Sequence, residues 1–241
     1  MPLDLCACWF AGGVLLSAPS AAQTTPPVAR FVEETNLAGL QARFEGEAEF
    51  MVGSGVPDFD CDGDGLPEVY VTAGVSKVKF YGNRNARGGP IKLAEDRSGL
   101  ELTHAIAAYT LDFDCDGNID LLALRVGEGQ FFQGFGNCRF KRANDSWRLR
   151  SGNSWHMAFA ATGERGEMWP TLAIGTYLDH GRPVFPWGSC TPRMLISPAT
   201  SGPGFAEPLP LALGHCALSM LFSDWSLTGE PALRVSNDRE Y

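Results

Sequence analysis

The hydrophobic positions along the chain fall in short runs that are bounded by glycine and asparagine. Val69–Thr72, Lys77–Tyr81, Leu121–Leu124 and Gln130–Phe132 are rich in β-branched, aromatic or aliphatic side chains, as short strands are. No window of about 15 residues combines a helical period of apolar positions with freedom from Gly and Pro. The pattern therefore predicts an all-β protein of short antiparallel strands with few helices.

Two segments of the chain are nearly identical and start at Asp58 and Asp112. The first reads DFDCDGDGLPEVYV and the second DFDCDGNIDLLAL, and similar lead-ins precede them at Phe31–Leu40 and Leu93–Leu100. Self-similarity at about 50–60 residues indicates a repeat architecture such as a β-propeller. Each acidic segment runs directly into a strand-like segment, so we expect the acidic residues in loops that precede strands.

The N-terminal residues have the layout of a secretory signal peptide. An uncharged apolar run, Cys6–Ala18, is followed by small residues at Ser20 and Ala22 that fit a cleavage site. The run is too short to span a bilayer. No positive charge precedes it, which leaves an uncleaved anchor and an apolar core segment as alternatives. We predict a signal peptide over 1–22 and an extracellular or periplasmic repeat region over 23–241.

Charge and cysteine content narrow the possible functions. The formal net charge of −9 and the pI near 4.9 argue against a nucleic-acid partner, because such partners meet basic surfaces. Of seven cysteines, Cys6 and Cys8 lie in the signal region, and none of the others has the spacing of a zinc site. A disulfide among Cys138, Cys190 and Cys216 is one interpretation; small buried hydrophobic residues are the other.

The repeated Asp-x-Asp-x-Asp-Gly pattern carries the chemistry of the sequence. Carboxylates at alternate positions of a tight loop converge on one point, and hard oxygen ligands in that number select calcium. An EF-hand would need a Glu at position 12 and a following helix. Position 12 is Val71 when counted from Asp60, and Ala123 when counted from Asp112. An EF-hand is therefore excluded.

Position 9, rather than position 12, holds a further acid in both loops. It is Glu68 when counted from Asp60 and Asp120 when counted from Asp112. Counting from Asp58 would place Leu66 there, so we prefer the register from Asp60. The predicted calcium ligands, including the backbone carbonyl at position 7, are Asp60, Asp62, Asp64, Leu66 and Glu68 in the first loop and Asp112, Asp114, Asp116, Asn118 and Asp120 in the second. A solvated Asp-rich turn is the alternative, but it leaves four carboxylates repelling one another.

The acidic loop followed at once by a strand resembles the FG-GAP, or VCBS-type, repeat of integrin-α-like β-propellers. Other segments resemble the bacterial cartilage-acidic-protein (ASPIC/UnbV-associated) branch of that family, namely LPEVYV, LDFDCDG, LRVGE, LSMLFSDW and LRVSNDR. The resemblance covers residues 30–241. It implies a secreted, non-enzymatic propeller with about seven blades and metal in several blade loops.

Two further loops are expected from the repeat, and both depart from its pattern. The third, expected near Gly175–Arg182, keeps only Asp179 as an acid. The fourth keeps Asp224 and Gly229, but its other ligand positions hold Ser226, Thr228 and Ala232. We expect no calcium at either. At about 50 residues per unit the chain makes about four units, so the expected fold is a partial propeller that a further chain segment or a partner completes.

No catalytic constellation accompanies these loops. The four histidines are scattered, and neither a nucleophile elbow nor a dinucleotide-binding loop occurs. The expected function is therefore a secreted, non-enzymatic calcium-binding module that adheres to a protein or polysaccharide. An incomplete gene product without independent function and a domain of a polysaccharide-directed enzyme are the alternatives.

The signal-peptide interpretation makes a direct prediction. Exported protein should start near Gln23, because signal peptidase cuts after small residues such as those at Ser20 and Ala22. N-terminal sequencing of secreted material measures this. Exported material that starts at Met1 would contradict the interpretation.

Overall fold

The computed structural model describes residues 28–51, 53–179, 189–211 and 214–238. The predicted signal peptide lies outside these residues. Contacts divide the chain into a segment that ends at Glu33 and a compact unit, Glu34–Tyr241. In the first segment, residues 28–33 are exposed and have no regular structure. No helix in the described ranges is long and apolar enough to cross a membrane.

The described residues are mostly in strands, as the sequence predicts. Helical structure among them consists of α1 (Thr35–Ala38) and one 3₁₀ turn (Ala48–Phe50). The strands are β1 (Asp58–Phe59), β2 (Glu68–Val71), β3 (Lys79–Asn83), β4 (Leu93–Glu95), β5 (Ala105–Leu111), β6 (Asp120–Gly127), β7 (Gln130–Gly134), β8 (Phe140–Arg142), β9 (Ser154–Thr162), β10 (Thr171–Thr176), β11 (Leu178–Asp179), β12 (Ser189–Cys190), β13 (Met194–Ile196), β14 (Leu209–Pro210), β15 (Ala217–Ser223) and β16 (Ala232–Asn237). The all-β prediction is confirmed.

The strands form three antiparallel four-stranded meanders and a hairpin. The first sheet is β1–β2–β3–β4, the second is β5–β6–β7–β8, and the third is β9–β10–β13–β14, with β11–β12 as a small excursion. The fourth unit is the hairpin β15–β16. β6 also pairs with β9 through Val126 and Trp155, which joins the second and third sheets. None of the sheets closes into a barrel within the described residues.

Apolar layers separate the successive units. Side chains of β6 alternate between two layers: Leu121 and Ala123 pack toward the first sheet, and Leu122 and Leu124 pack toward the third. A third layer, centred on Ala173 of β10 and Met220 of β15, lies between the third sheet and the hairpin. The second sheet is therefore buried on both faces. This explains why its β6 sequence is a continuous apolar run rather than an alternation of polar and apolar residues.

The first two strands of every unit are joined by a loop of the same length. These loops cover residues 60–67, 112–119, 163–170 and 224–231, eight residues each. The third of them is not where the sequence suggested. Gly175 and Thr176 end β10, and Asp179 pairs with Ser189 in the β11–β12 excursion, while residues 180–188 lie outside the described ranges. The expectation of a third loop near Gly175–Arg182 is wrong. The loop between the first two strands of the third unit is residues 163–170, and it lacks the alternating aspartates by which the motif is recognised.

Two disulfides connect consecutive units. Cys190–Cys216 joins the excursion of the third sheet to the start of β15, and it lies within the set of cysteines considered from sequence. Cys61–Cys138 joins the first acidic loop to the turn between β7 and β8. Sequence reasoning missed this pair, since Cys61 was assigned only to the acidic loop. Cys115 is free and exposed.

The Cys61–Cys138 disulfide should stabilise the fold strongly. It spans 77 residues, and closing a loop of that size in the unfolded chain is worth about 4 kcal/mol. Replacing both cysteines with Ser should lower the free energy of unfolding by about that amount, measured by urea denaturation with a chelator present so that metal binding does not contribute. Cys115→Ser is the matched control and should change it by less than about 0.5 kcal/mol. Equal stability of the double variant and the parent would contradict the prediction.

Candidate metal centres

Each acidic loop is folded around the carboxylate at its first position. The amide of Gly65 donates to Asp60 Oδ2 (2.8 Å), and the amide of Gly117 donates to Asp112 Oδ2 (3.0 Å). Both glycines have left-handed φ angles, 79° and 88°, which glycine adopts without steric cost. The two loops therefore correspond residue by residue when they are counted from Asp60 and Asp112.

The ninth position of the second loop is a buried carboxylate at the start of β6. Asp120 is 0% exposed. It accepts hydrogen bonds from the amides of Phe113 (2.7 Å) and Gly134 (2.8 Å). A Cβ on Gly134 would lie 2.2 Å from the carbonyl oxygen of Ile119, so only glycine permits this close approach. The carboxylate thereby joins the loop to the end of the third strand, β7.

Glu68 occupies the same place at the start of β2. It is 2% exposed, and it accepts hydrogen bonds from the amides of Cys61 (3.1 Å) and Asn83 (3.3 Å). Cys61 is the second residue of its loop, as Phe113 is in the other, and Asn83 ends the third strand, β3. Both buried carboxylates thus make the same two links, one to the acidic loop and one to the third strand of the sheet.

Three of the four predicted carboxylates converge in each loop. Their oxygens lie within 4.8 Å of one another, and the groups are Asp60, Asp62 and Glu68 in the first loop and Asp112, Asp114 and Asp120 in the second. The structure does not place Asp64 and Asp116 in these groups. Their Oδ1 atoms accept the amides of Leu66 (2.7 Å) and Asn118 (2.8 Å). Coordination by the carbonyls of Leu66 and Asn118 stays a prediction.

The protein disfavours the charged forms of Asp114, Asp120 and Glu68, whose pKa values are all raised. Burial raises the pKa of Asp120 to about 7; its two amide partners lower that pKa, and the negative charges of Asp114 and Asp112 raise it further. Burial also raises the pKa of Asp114, as do the charges of Asp116 and Asp112. Burial is likewise the main reason that the pKa of Glu68 is raised. A positive charge placed among these groups would reverse the effect.

The donor atoms of both groups fit calcium. All are carboxylate oxygens, which are the hard ligands that calcium prefers. The outer carboxylates Asp60 and Asp112 accept loop amides, as they would in a solvated turn without metal. Glu68 and Asp120 are the members that a solvated turn does not account for, because burial of a carboxylate is costly without a compensating charge. The acidic groups could therefore hold a metal ion.

The third and fourth loops keep parts of this arrangement without the buried acid at the ninth position. In the fourth loop, Asp224 accepts the amides of Thr228 (2.9 Å) and Gly229 (2.7 Å), the same contact to the sixth residue that Asp60 and Asp112 make. Its ninth position is Ala232. In the third loop the ninth position is Thr171, whose hydroxyl donates to the Glu164 carboxylate. The loop fold thus persists where carboxylates no longer converge.

Two neighbours of the acidic loops were not predicted from sequence. Gln133 of β7 donates to Asp114 Oδ2 (2.6 Å), and the Cys61–Cys138 disulfide lies against Glu68. Gln133 and Cys138 reach these loops only in the folded protein, from 19 and 70 residues away along the chain, so no local motif signals them. The nearest signal in the sequence was the cysteine within the first acidic loop, Cys61, which indicated that a disulfide could form beside the acidic residues.

Comparison with known proteins assigns no family. No protein-family model matches the chain, and no curated protein is significantly similar to it. The relation to FG-GAP propellers therefore stays a hypothesis, carried by the motifs of the two acidic loops.

The raised pKa of Asp120 predicts how the metal-free protein responds to pH. A carboxylate whose pKa is near 7 when folded and about 3.9 when unfolded favours the folded state at low pH, and this contribution is lost as pH rises through 7. With chelator present, the free energy of unfolding should fall between pH 5 and pH 7.5, and Asp120→Asn should flatten that fall. Urea denaturation at both pH values measures it. Stability that rises over this range in the parent would contradict the prediction.

Proposed function

We propose that the chain is a secreted calcium-binding module of the β-propeller type, which adheres to a protein or polysaccharide ligand and does not catalyse a reaction. The observation that carries the proposal is the pair of buried carboxylates, Glu68 and Asp120, each with two aspartates whose oxygens lie within 4.8 Å. Calcium is the counter-charge that an all-oxygen group of this kind fits best.

The arrangement of the sheets supports the propeller part of the proposal. Successive four-stranded antiparallel meanders with apolar layers between them are the units of a propeller, in which each blade packs against the next. The loops between the first and second strands have the same length in all four units. Consecutive units are also linked, by two disulfides and by the β6–β9 pairing.

The bound ion would serve the fold rather than a reaction. Asp60, Asp62 and Glu68 would hold it in the first loop, and the corresponding residues of the second loop would hold another. The ion supplies positive charge, which lets the buried carboxylates ionise without mutual repulsion. The loop and the strands on either side of it are thereby fixed to one another.

The non-enzymatic part of the proposal rests on the surroundings of His156, a buried histidine. Both ring nitrogens of His156 face backbone carbonyls, those of Gly127 and Ser151, at 2.8 Å, which is a structural position. The secreted location is supported by two disulfides, since these persist in oxidising compartments.

The hairpin suggests where a partner or further chain segment would dock. Within the described residues β16 pairs only with β15, and Leu218 and Leu221 are 41% and 60% exposed. In the first three units, apolar side chains of the strands are buried in the layers between successive sheets. We propose that additional strands, from the same chain or a partner, cover this face and complete the propeller.

The calcium proposal predicts a large effect of chelation on stability. A ligand that binds only the folded state adds about 2.7 kcal/mol per site when its free concentration is a hundredfold above Kd. Two sites would add about 5 kcal/mol, so chelation should lower Tm by many degrees. Asp62→Ala and Asp114→Ala should each remove about half of that shift. Magnesium should substitute poorly, because it prefers a smaller octahedral site and loses water reluctantly.

The fourth loop supplies the matched control. Asp224→Asn keeps an acceptor for one of the two amides, those of Thr228 and Gly229. It should leave calcium stoichiometry unchanged, because among the described residues no group of three ligands includes Asp224. Calorimetric titration measures the stoichiometry and differential scanning calorimetry measures Tm. Absence of calcium binding up to millimolar concentration, with no effect of chelator on Tm, would overturn the proposal.

A further inference from the structure

The Cys61–Cys138 disulfide touches the buried carboxylate of the first acidic loop. The sulfur of Cys61 is 3.3 Å from Glu68 Oε2, and the sulfur of Cys138 is 3.5 Å from the same oxygen. The backbone amide of Cys61 donates a hydrogen bond to that oxygen as well (3.1 Å). Sulfurs joined in a disulfide carry no proton, so they donate nothing to Glu68. The oxidised pair therefore holds the amide in place and leaves the carboxylate available to a cation.

A cavity lies beside the first acidic loop and the Cys61–Cys138 disulfide. Its volume is about 280 Å³, and its lining includes Asp60 and Asp62 of the first loop, both cysteines of the disulfide, and Asn118 of the second loop. A calcium ion approaching the first loop and a small reductant approaching the disulfide would share this space. The metal group and the disulfide are thus accessible together.

We propose that Cys61–Cys138 is a redox lock on the first calcium site, so that the first loop binds calcium tightly only while the disulfide is intact. The inference rests on the calcium function proposed above. A dithiol reductant supplies two electrons and two protons, is itself oxidised to a disulfide, and leaves thiols at Cys61 and Cys138. Each thiol is then an S–H donor within reach of Glu68 Oε2 and competes with the cation for that oxygen.

Reduction also removes the covalent link between the first loop and the second sheet. The amide of Cys138 donates to the carbonyl of Cys61 (3.1 Å), and the disulfide is the covalent restraint that keeps this contact closed. Without it, the amide of Cys61 is less firmly fixed beside Glu68. Loss of a group that orients a metal ligand typically costs about 10–100-fold in affinity, which is the effect we expect.

The second acidic loop is an internal control. Phe113 stands where the first loop has Cys61, and it is fully buried in the apolar layer between the second and third sheets. Asp120 is held by the amides of Phe113 and Gly134. Among the described residues, no cysteine converges with Asp120 and its aspartates. Reduction should therefore leave the affinity of the second loop unchanged.

Thermodynamic linkage adds a reciprocal expectation. If reduction weakens calcium binding by a given factor, calcium must make the disulfide harder to reduce by the same factor. For this two-electron couple each tenfold change corresponds to about 30 mV. The Cys190–Cys216 pair, which lies away from both acidic loops, should show no such shift.

The experiment uses the full secreted chain in two variants that isolate the sites. Asp114→Ala leaves the first site and Asp62→Ala leaves the second. Calcium affinity of each is measured by calorimetric titration in the oxidised state, after reduction with dithiothreitol, and after reoxidation. Both variants lose Cys190–Cys216 on reduction as well, so that loss cancels in the comparison. In parallel, mass spectrometry of trapped thiols follows the reduction of each disulfide in oxidised, folded protein with and without calcium.

The expected result is a loss of about 10–100-fold in calcium affinity on reduction for Asp114→Ala, recovered on reoxidation, with a change below about twofold for Asp62→Ala. Calcium should protect Cys61–Cys138 from reduction and leave Cys190–Cys216 unaffected. Equal affinity of reduced and oxidised Asp114→Ala, or equal losses in both variants, would overturn the redox lock while leaving calcium binding standing. No calcium binding by either oxidised variant would overturn the calcium function and the lock together.

Discussion

A carboxylate buried at the start of the second strand organises each of the first two sheets. Glu68 and Asp120 accept one amide from the acidic loop and one from the end of the third strand, so loop and sheet are held to each other by a single side chain. Because the carboxylate is buried among other carboxylates, its pKa is raised and its charge is unfavourable without a counter-ion. Burial therefore opposes ionisation of this carboxylate, whereas the two amide contacts that hold the loop favour it.

The stacking of the sheets makes this local arrangement part of a larger one. Strand β6 starts at Asp120 and continues through Leu121–Leu124, whose side chains enter the apolar layers on both sides. Any displacement of Asp120 would move this doubly buried strand, which close packing resists. The disulfides Cys61–Cys138 and Cys190–Cys216 add covalent links between units on either side. Packing and covalent links thus act on the same junctions between units.

The loop fold and the convergence of carboxylates vary independently. The fourth loop keeps the contact from Asp224 to the amide of Gly229, although Ala232 replaces the buried acid. The third loop keeps the eight-residue length and has neither feature. The first-position carboxylate stabilises the turn through local amides, whereas convergence requires acids at several positions together. The acidic motif identifies only loops that have acids at several positions. The third loop has lost these acids, and for that reason the motif predicted it at the wrong residues.

The all-β class, the two acidic loops and their common register could be predicted from the sequence, because strand-forming runs and ligand spacing are local properties of a chain. The grouping of Asp60 with Glu68, and of Asp112 with Asp120, follows from that register and from the strand that begins at the ninth residue. Three features required the folded structure: Cys138 meets Cys61 beside Glu68, Gln133 contacts Asp114, and residues 163–170 form the third loop. These depend on which strands become neighbours, and neighbouring strands are chosen by burial of apolar faces over long separations in the chain, which no local pattern encodes.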